Sequence, residues 1–273
     1  MDLADTPARS ELNMAPTSRI GEEESSIWKA PEYLKNARSL IGDGARIIGG
    51  VEDTDNQFPD CVAVGSADRW CCTGTLVARN VVVTAGHCQG ACSVRVFFGL
   101  RVTGPGRVFK VKNAVRHPKY GQDGQHNDLT VLILEEDVKA VAPREIATTD
   151  AANVAKVVRV VGYGNTNPGS TLGYGVRRKV DVAVATADCS HDEVKYGCDP
   201  SLEMVAGAPF LDRDSCNGDS GGPAYVEVGG RWVLCGATSR ATADSTRPCG
   251  DGGIYVRIDK YIDWIKSVPG GHW

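Results

Sequence analysis

Asp214-Ser-Cys-Asn-Gly-Asp-Ser-Gly-Gly-Pro223 is the stretch on which the reading of this chain turns. Within it, Gly218, Asp219, Ser220, Gly221 and Gly222 form a Gly-x-Ser-x-Gly element. Flanking glycines let the backbone turn sharply and present the serine oxygen. A serine hydroxyl is a weak nucleophile, so it needs a base within reach and a third group to orient that base. Downstream the sequence offers only His272, beside the last residue. Upstream, Thr84-Ala-Gly-His-Cys88 follows the apolar run Val81 to Val83, and Asn127-Asp128 leads into Leu129 to Leu134. Ser220, His87 and Asp128 are therefore the candidate nucleophile, base and orienting acid.

Chain order decides between two uses of such an element. In the nucleophile elbow of α/β-hydrolases the acid and the histidine follow the serine, on an alternating β/α scaffold. Here both precede it, and the pattern is one of strands. Short Val, Ile and Leu runs broken by Gly, Pro, Asn and Asp occur at Thr75 to Val77, Val81 to Thr84, Val94 to Phe98 and Leu129 to Leu134. Others cover Val108 to Val115, Lys156 to Val161, Val176 to Val184, Ala224 to Val228 and Trp232 to Cys235. Such spacing predicts an all-β sandwich or barrel, divisible near residue 150 into two similar halves. One helix is expected at the end, where Tyr255, Ile258, Tyr261, Ile262 and Ile265 recur at helical intervals. Residues 1–46 are polar, mixed in charge and rich in Ser, Ala, Pro and Glu, with Ile27, Trp28, Tyr33 and Leu34 as a small apolar cluster. They read as a weakly structured pro-segment, and Glu22 to Glu24 as a solvated run.

Bulk properties exclude several classes. At 273 residues, 42% hydrophobic and 23% charged, the chain has the composition of a globular protein. A net charge of -4 supplies no basic field for a nucleic acid. No apolar run approaches the roughly 20 residues of a membrane-spanning helix. Ten cysteines favour an oxidising, secreted setting, whereas the acidic first 30 residues show no signal peptide and fit an intracellular zymogen instead.

With these motifs in place, the chain resembles the chymotrypsin family of trypsin-like serine proteases. The resemblance rests on Arg46-Ile47-Ile48-Gly49-Gly50, TAGHC at 84–88, NDLTVLIL at 127–134 and DSCNGDSGGP at 214–223, in family order. It continues through GIYVRIDKYIDWI at 253–265. It implies two packed antiparallel Greek-key β-barrels, about 47–150 and about 151–273, with a C-terminal α-helix and an N-terminal pro-segment. The implied activity is that of a serine endopeptidase working through an acyl-enzyme, with protein or peptide substrates and no cofactor or metal. A protease-like binding module that has lost turnover is the competing reading; such relatives generally lack a triad member, and here none is missing.

The resemblance also assigns roles. The backbone N–H groups of Gly218 and Ser220 are expected to form an oxyanion hole. Cleavage after Arg46, by the enzyme itself or by an activating protease, is expected to free the amino group of Ile47 to pair with Asp219. Arg19-Ile20 is a second Arg-Ile bond, but Gly21, Glu22 and Glu23 do not match the family start. Asp214, six residues before Ser220, is expected at the base of the primary pocket with Ser215 and with Gly253 in its wall. A buried carboxylate there demands Arg or Lys before the scissile bond. Ser239, Arg240 and Ala241 stand where relatives usually have Ser-Trp-Gly, so Arg240 is expected to favour acidic residues upstream of the cut. Cys72 with Cys88 and Cys216 with Cys249 match family disulfides. Cys189 with Cys198 is a local pairing, and Cys71 with Cys92 and Cys61 with Cys235 are what remain, their connectivity not fixed by sequence. A zinc site on Cys71, Cys72, His87, Cys88 and Cys92 would consume the base, and His117, His126 and His191 have no motif partners.

Overall fold

The computed structural model describes residues 26–40, 50–190, 193–209 and 213–273. Strands β2 (Cys61–Gly65), β3 (Trp70–Ala78), β4 (Val81–Thr84), β5 (Arg95–Gly99), β6 (Gly106–Arg116) and β7 (Thr130–Leu134) follow β1 (Val51–Glu52). They close into a barrel in the order β2-β3-β4-β7-β6-β5. Strands β8 (Val157–Gly162), β9 (Arg178–Thr186), β10 (Glu203–Ala206), β11 (Pro223–Val228), β12 (Arg231–Ala241) and β13 (Gly253–Arg257) form the second. Its order is β9-β10-β13-β12-β11-β8, closed by the β8–β9 pairing, with β1 added at the edge of β9. Counted from its first strand, each barrel has the same connectivity: three strands in sequence, then three in reverse. All pairings between these strands are antiparallel. The two similar halves expected on either side of residue 150 are thus present as two antiparallel barrels.

Three apolar clusters explain why the strands assemble this way. Val62, Val64, Leu76, Val82, Val96, Phe98, Leu132 and Leu134 fill the first barrel. Val158, Val160, Val180, Val182, Met204, Val226 and Tyr255 fill the second. A further cluster, including Phe58, Val81, Val83, Leu129, Val131, Tyr163, Tyr225 and Val256, joins the two. Along β4 consecutive valines serve different clusters, Val82 inside the barrel and Val81 and Val83 at the seam, as the alternation of a strand requires. Phe58, wholly buried, stacks on Tyr225 with centroids 4.7 Å apart. Burying an aromatic side chain of this size contributes about 1.5–3 kcal/mol.

Two expectations from sequence need correction. Tyr255 belongs to β13; the helical region is a 3-10 turn, Ile258–Tyr261, followed by α4 (Ile262–Ser267). Among the described residues the other α-helices are α1 (Pro31–Ser39), α2 (Thr149–Asn153) and α3 (Glu193–Tyr196). Residues 26–40, read as weakly structured, in fact form a 3-10 turn at Ile27–Lys29 and then α1. Pro31 sits in the first helical turn, where its missing N–H costs nothing. The small apolar cluster noted in the sequence is what docks this segment. Tyr33 and Ala37 are buried against Ala183 and Ala208, with Trp28, Leu34 and Leu40 packed around them. Trp28 also meets the Tyr196 ring edge-on, at 5.5 Å. Glu22 to Glu24, Arg46, Ile47 and His191 lie outside the described residues.

Candidate active site

Strand register brings the first two candidate residues together. Thr84 at the end of β4 pairs with Thr130 at the start of β7. Continuing past both, the chain places His87, on the 3-10 turn Gly86–Cys88, opposite Asp128. Asp128 is buried, and its Oδ2 lies 2.8 Å from His87 Nδ1 while its Oδ1 accepts the His87 backbone N–H at 2.8 Å. The turn must be tight: a Cβ on Gly86 would stand 3.0 Å from Asp128 Oδ1 and from the Leu129 nitrogen. Ser239 Oγ donates to Asp128 Oδ2 at 2.7 Å. With Nδ1–H given to the carboxylate, the other ring nitrogen is left as the acceptor, on a side chain 36% exposed.

The loop carrying Ser220 comes from the second barrel and is pressed onto the first. Thr73 of β3 donates its N–H to the Ser220 carbonyl at 2.9 Å and its hydroxyl to the Gly218 carbonyl at 2.8 Å. Gly221 has a φ of 76°, and a Cβ there would lie 2.3 Å from the Ala85 nitrogen, two residues before His87. Only glycine permits that approach. In this loop Asp219, Gly221 and Gly222 donate their N–H groups to Cys216, Thr238 and Asp219 carbonyls. Among the described residues the N–H groups of Gly218 and Ser220 have no such acceptor. Two uncommitted donors on either side of one carboxylate-bearing residue suit a developing oxyanion.

Two buried carboxylates support the loop. Asp219 accepts from Gly164 N–H at 2.7 Å and Cys216 N–H at 2.8 Å, yet burial still pushes its pKa up to about 7. Asp214 accepts from Ser215 N–H at 2.7 Å and from Gly250 and Gly252 N–H at 3.2 Å; burial raises it to about 6. Asp214 and Ser215 line a cavity with Ser220, Ser239, Arg240, Ala241 and Gly253. A Cβ on Gly253 would reach within 3.1 Å of Asp214 Oδ1, so glycine keeps that carboxylate accessible. Sequence reasoning had singled out Asp214, Ser215, Ser220, Ser239, Arg240, Ala241 and Gly253, and these line one cavity. It missed Thr73, which carries no motif signal beyond its place in a buried strand.

A family model described as Trypsin matches residues 47–265. The chain belongs to the trypsin family. Trypsin 5G1 of Aedes aegypti is 32% identical over 241 residues, covering 85% of this chain and 88% of that protein. Trypsin of Saccharopolyspora erythraea is 35% identical over 230 residues, covering 81% of this chain and 97% of its own. Human granzyme M is 30% identical over 243 residues, 83% of this chain and 90% of that one. The protein is a trypsin-like serine endopeptidase by family.

Against that family background the cysteines divide in two groups. Cys72–Cys88 and Cys216–Cys249 are bonded as the resemblance implied; the local pair Cys189–Cys198 and the leftover pair Cys71–Cys92 are bonded as well. Cys61 and Cys235 are not bonded to each other, which corrects the remaining expectation. Each is sealed in a core: Cys61 Sγ faces the Val161 carbonyl and Cys235 Sγ faces Met204. Burial pushes both thiols up, Cys235 to about 12, so neither is a ready nucleophile. The zinc alternative loses its ligands, since the sulfurs of Cys71, Cys72, Cys88 and Cys92 are committed to disulfides.

Two of the unassigned histidines have partners after all. His117 packs edge-on against Trp264 of α4 and Tyr261, the latter donating to Asn127 Oδ1 at 3.1 Å. His126 lies 3.1 Å from Arg240 and 3.5 Å from the buried Glu203. Arg240 itself is not the free cation that an acidic preference requires. Its side chain is 15% exposed and is ion-paired with Glu203 at 2.7 Å.

Proposed function

We propose that this endopeptidase cuts peptide bonds after Arg or Lys, with Ser220 as nucleophile, His87 as general base and Asp128 as the group that orients it. In that reading Ser220 gives its proton to the free nitrogen of His87 as it attacks the scissile carbonyl. Asp128 stabilises the imidazolium that forms, and the N–H groups of Gly218 and Ser220 receive the oxyanion. His87 then returns the proton to the leaving amine, and water resolves the acyl-enzyme by the same steps in reverse.

Specificity rests on one observation, the burial of Asp214 in the cavity beside Ser220. Relatives of this chain include proteins named trypsin, granzyme M and chymotrypsin-like elastase, so family membership alone does not choose the side chain accepted. A buried carboxylate favours a basic one, because a cation entering the cavity compensates for the hydration that burial removed. Ser215, Ser239, Arg240, Ala241 and Gly253 complete the walls.

We further propose that the chain is a zymogen activated by cleavage after Arg46. A buried Asp219 with its affinity for protons raised to about 7 is a site that gains from an incoming ammonium, and the freed amino group of Ile47 would supply it. The four disulfides favour an oxidising compartment for the mature enzyme. Fluorogenic amides of Arg, Lys, Phe and Val, assayed before and after cleavage at Arg46, test both parts. Hydrolysis of the Arg and Lys amides only after the cut supports the reading. Preference for Phe or Val overturns the specificity, and full activity of intact chain overturns the zymogen.

A further inference from the structure

Where relatives usually have the Trp of Ser-Trp-Gly, this chain has a guanidinium held at nearly every donor. Arg240 Nη1 donates to Glu203 Oε1 at 2.8 Å, Ser239 Oγ at 3.0 Å and the Gln125 carbonyl at 3.3 Å. Its Nη2 donates to Glu203 Oε2 and the Gly197 carbonyl, each at 2.7 Å, and meets His126 Nδ1 at 3.1 Å. Glu203 is wholly buried on β10, and its Oε2 also accepts the Asp199 N–H at 2.7 Å. This is the two-pronged geometry in which a guanidinium binds a carboxylate most strongly. With its charge matched and its terminal donors occupied, Arg240 has nothing left to offer an acidic substrate side chain.

Its contact with Ser239 is a different matter. A hydroxyl carries one proton and two lone pairs. The guanidinium can only donate, so it occupies a lone pair of Ser239 and leaves the hydroxyl proton to point at Asp128, 2.7 Å away. Asp128 in turn holds His87 at 2.8 Å. We infer that Arg240, anchored by Glu203, is a positioning residue for the proteolytic reaction: it locks the Ser239 hydroxyl as a donor to Asp128 and so steadies the carboxylate that orients His87. The inference rests on the catalytic roles proposed above for Ser220, His87 and Asp128.

The test is a double-mutant cycle on the cut enzyme, read as kcat and KM separately with a single-residue Arg amide. Arg240→Met is expected to lower kcat about 3- to 10-fold, the worth of one ordinary hydrogen bond, beyond any change in KM that its place in the cavity wall brings. In a Ser239→Ala background the same replacement is expected to cost nothing further in kcat. Since Arg240→Met strands a buried carboxylate and can prevent folding, Arg240→Met/Glu203→Gln carries the same comparison with both charges gone. Additive losses in the cycle, an unchanged kcat, or a change confined to KM overturns the inference. An inactive wild-type enzyme whose Ser220 resists an organophosphate would instead overturn the catalytic reading itself.

Discussion

Thr73 and Ser220 are the point at which the two barrels meet in the active site: the Thr73 N–H donates to the Ser220 carbonyl at 2.9 Å, from one barrel to the other. The Thr73 hydroxyl adds a second tie, accepting from the Tyr163 N–H at 3.2 Å while donating to the Gly218 carbonyl. Thr73→Val keeps the shape and the backbone bond but strands two buried polar groups. A loss of about 1–3 kcal/mol in stability is expected, together with a lower kcat. Urea titration and amide hydrolysis on the cut enzyme check this; unchanged stability would show that the hydroxyl is dispensable.

Asp128→Asn should leave the fold intact and reduce kcat by about 10⁴, because an amide in that place favours the wrong tautomer of His87. Turnover near the wild-type rate would remove Asp128 from the mechanism.

In the proposed reading Asp214 governs binding of cations in the primary pocket. A small aryl amidine pairs with the ionised carboxylate, and a proton competes for it below the pKa of about 6. The amidine Kd measured by calorimetry on the cut enzyme should therefore weaken as pH falls through that value, approaching about tenfold per pH unit. Asp214→Ser should lower kcat/KM for Arg amides by about 10² to 10³, the cost of leaving a buried charge unpaired. Flat amidine affinity between pH 5 and pH 7 would place the amidine elsewhere.

Asp219 gives the uncut chain a pH-dependent stability of definite sign. Its folded pKa of about 7 exceeds the value near 3.9 of an unfolded aspartate. Between those values the folded chain binds the extra proton, so unfolding free energy falls as pH rises through the window. Asp219→Asn should flatten that fall, as judged from urea midpoints across the range. An identical slope in the variant would mean that other groups cause it.

Much of the site was legible because it is written in short motifs whose residue types are demanded by chemistry. His87, Asp128 and Ser220 could be found from residue order, and the barrels from runs such as Val81 to Thr84. Tyr255 was misplaced because Tyr255, Ile258 and Ile262 satisfy a helical period even though the first of them lies in β13. The Cys61–Cys235 pairing failed because an even cysteine count says nothing about which pairs are within reach; these two lie in separate cores. Arg240 could be seen as a departure, but its partner Glu203 is 37 residues away and has no motif of its own. Long-range charge pairing of this kind is set by the folded register alone.

The docked N-terminal helix has a consequence for the behaviour of the enzyme in dilute solution. Between Met1 and Cys61 there is no cysteine, so no disulfide can tie residues 1–46 to the body. Trp28 rests behind Gly252, whose N–H supports Asp214, at the 3.1 Å limit a Cβ there would meet. While the backbone is continuous, the helix is delivered to this spot by its own tether. Were the proposed cut after Arg46 made, occupancy would become a matter of mass action. Dilution of the cut enzyme would then uncover the back of Gly252, which Trp28 covers while the segment stays docked.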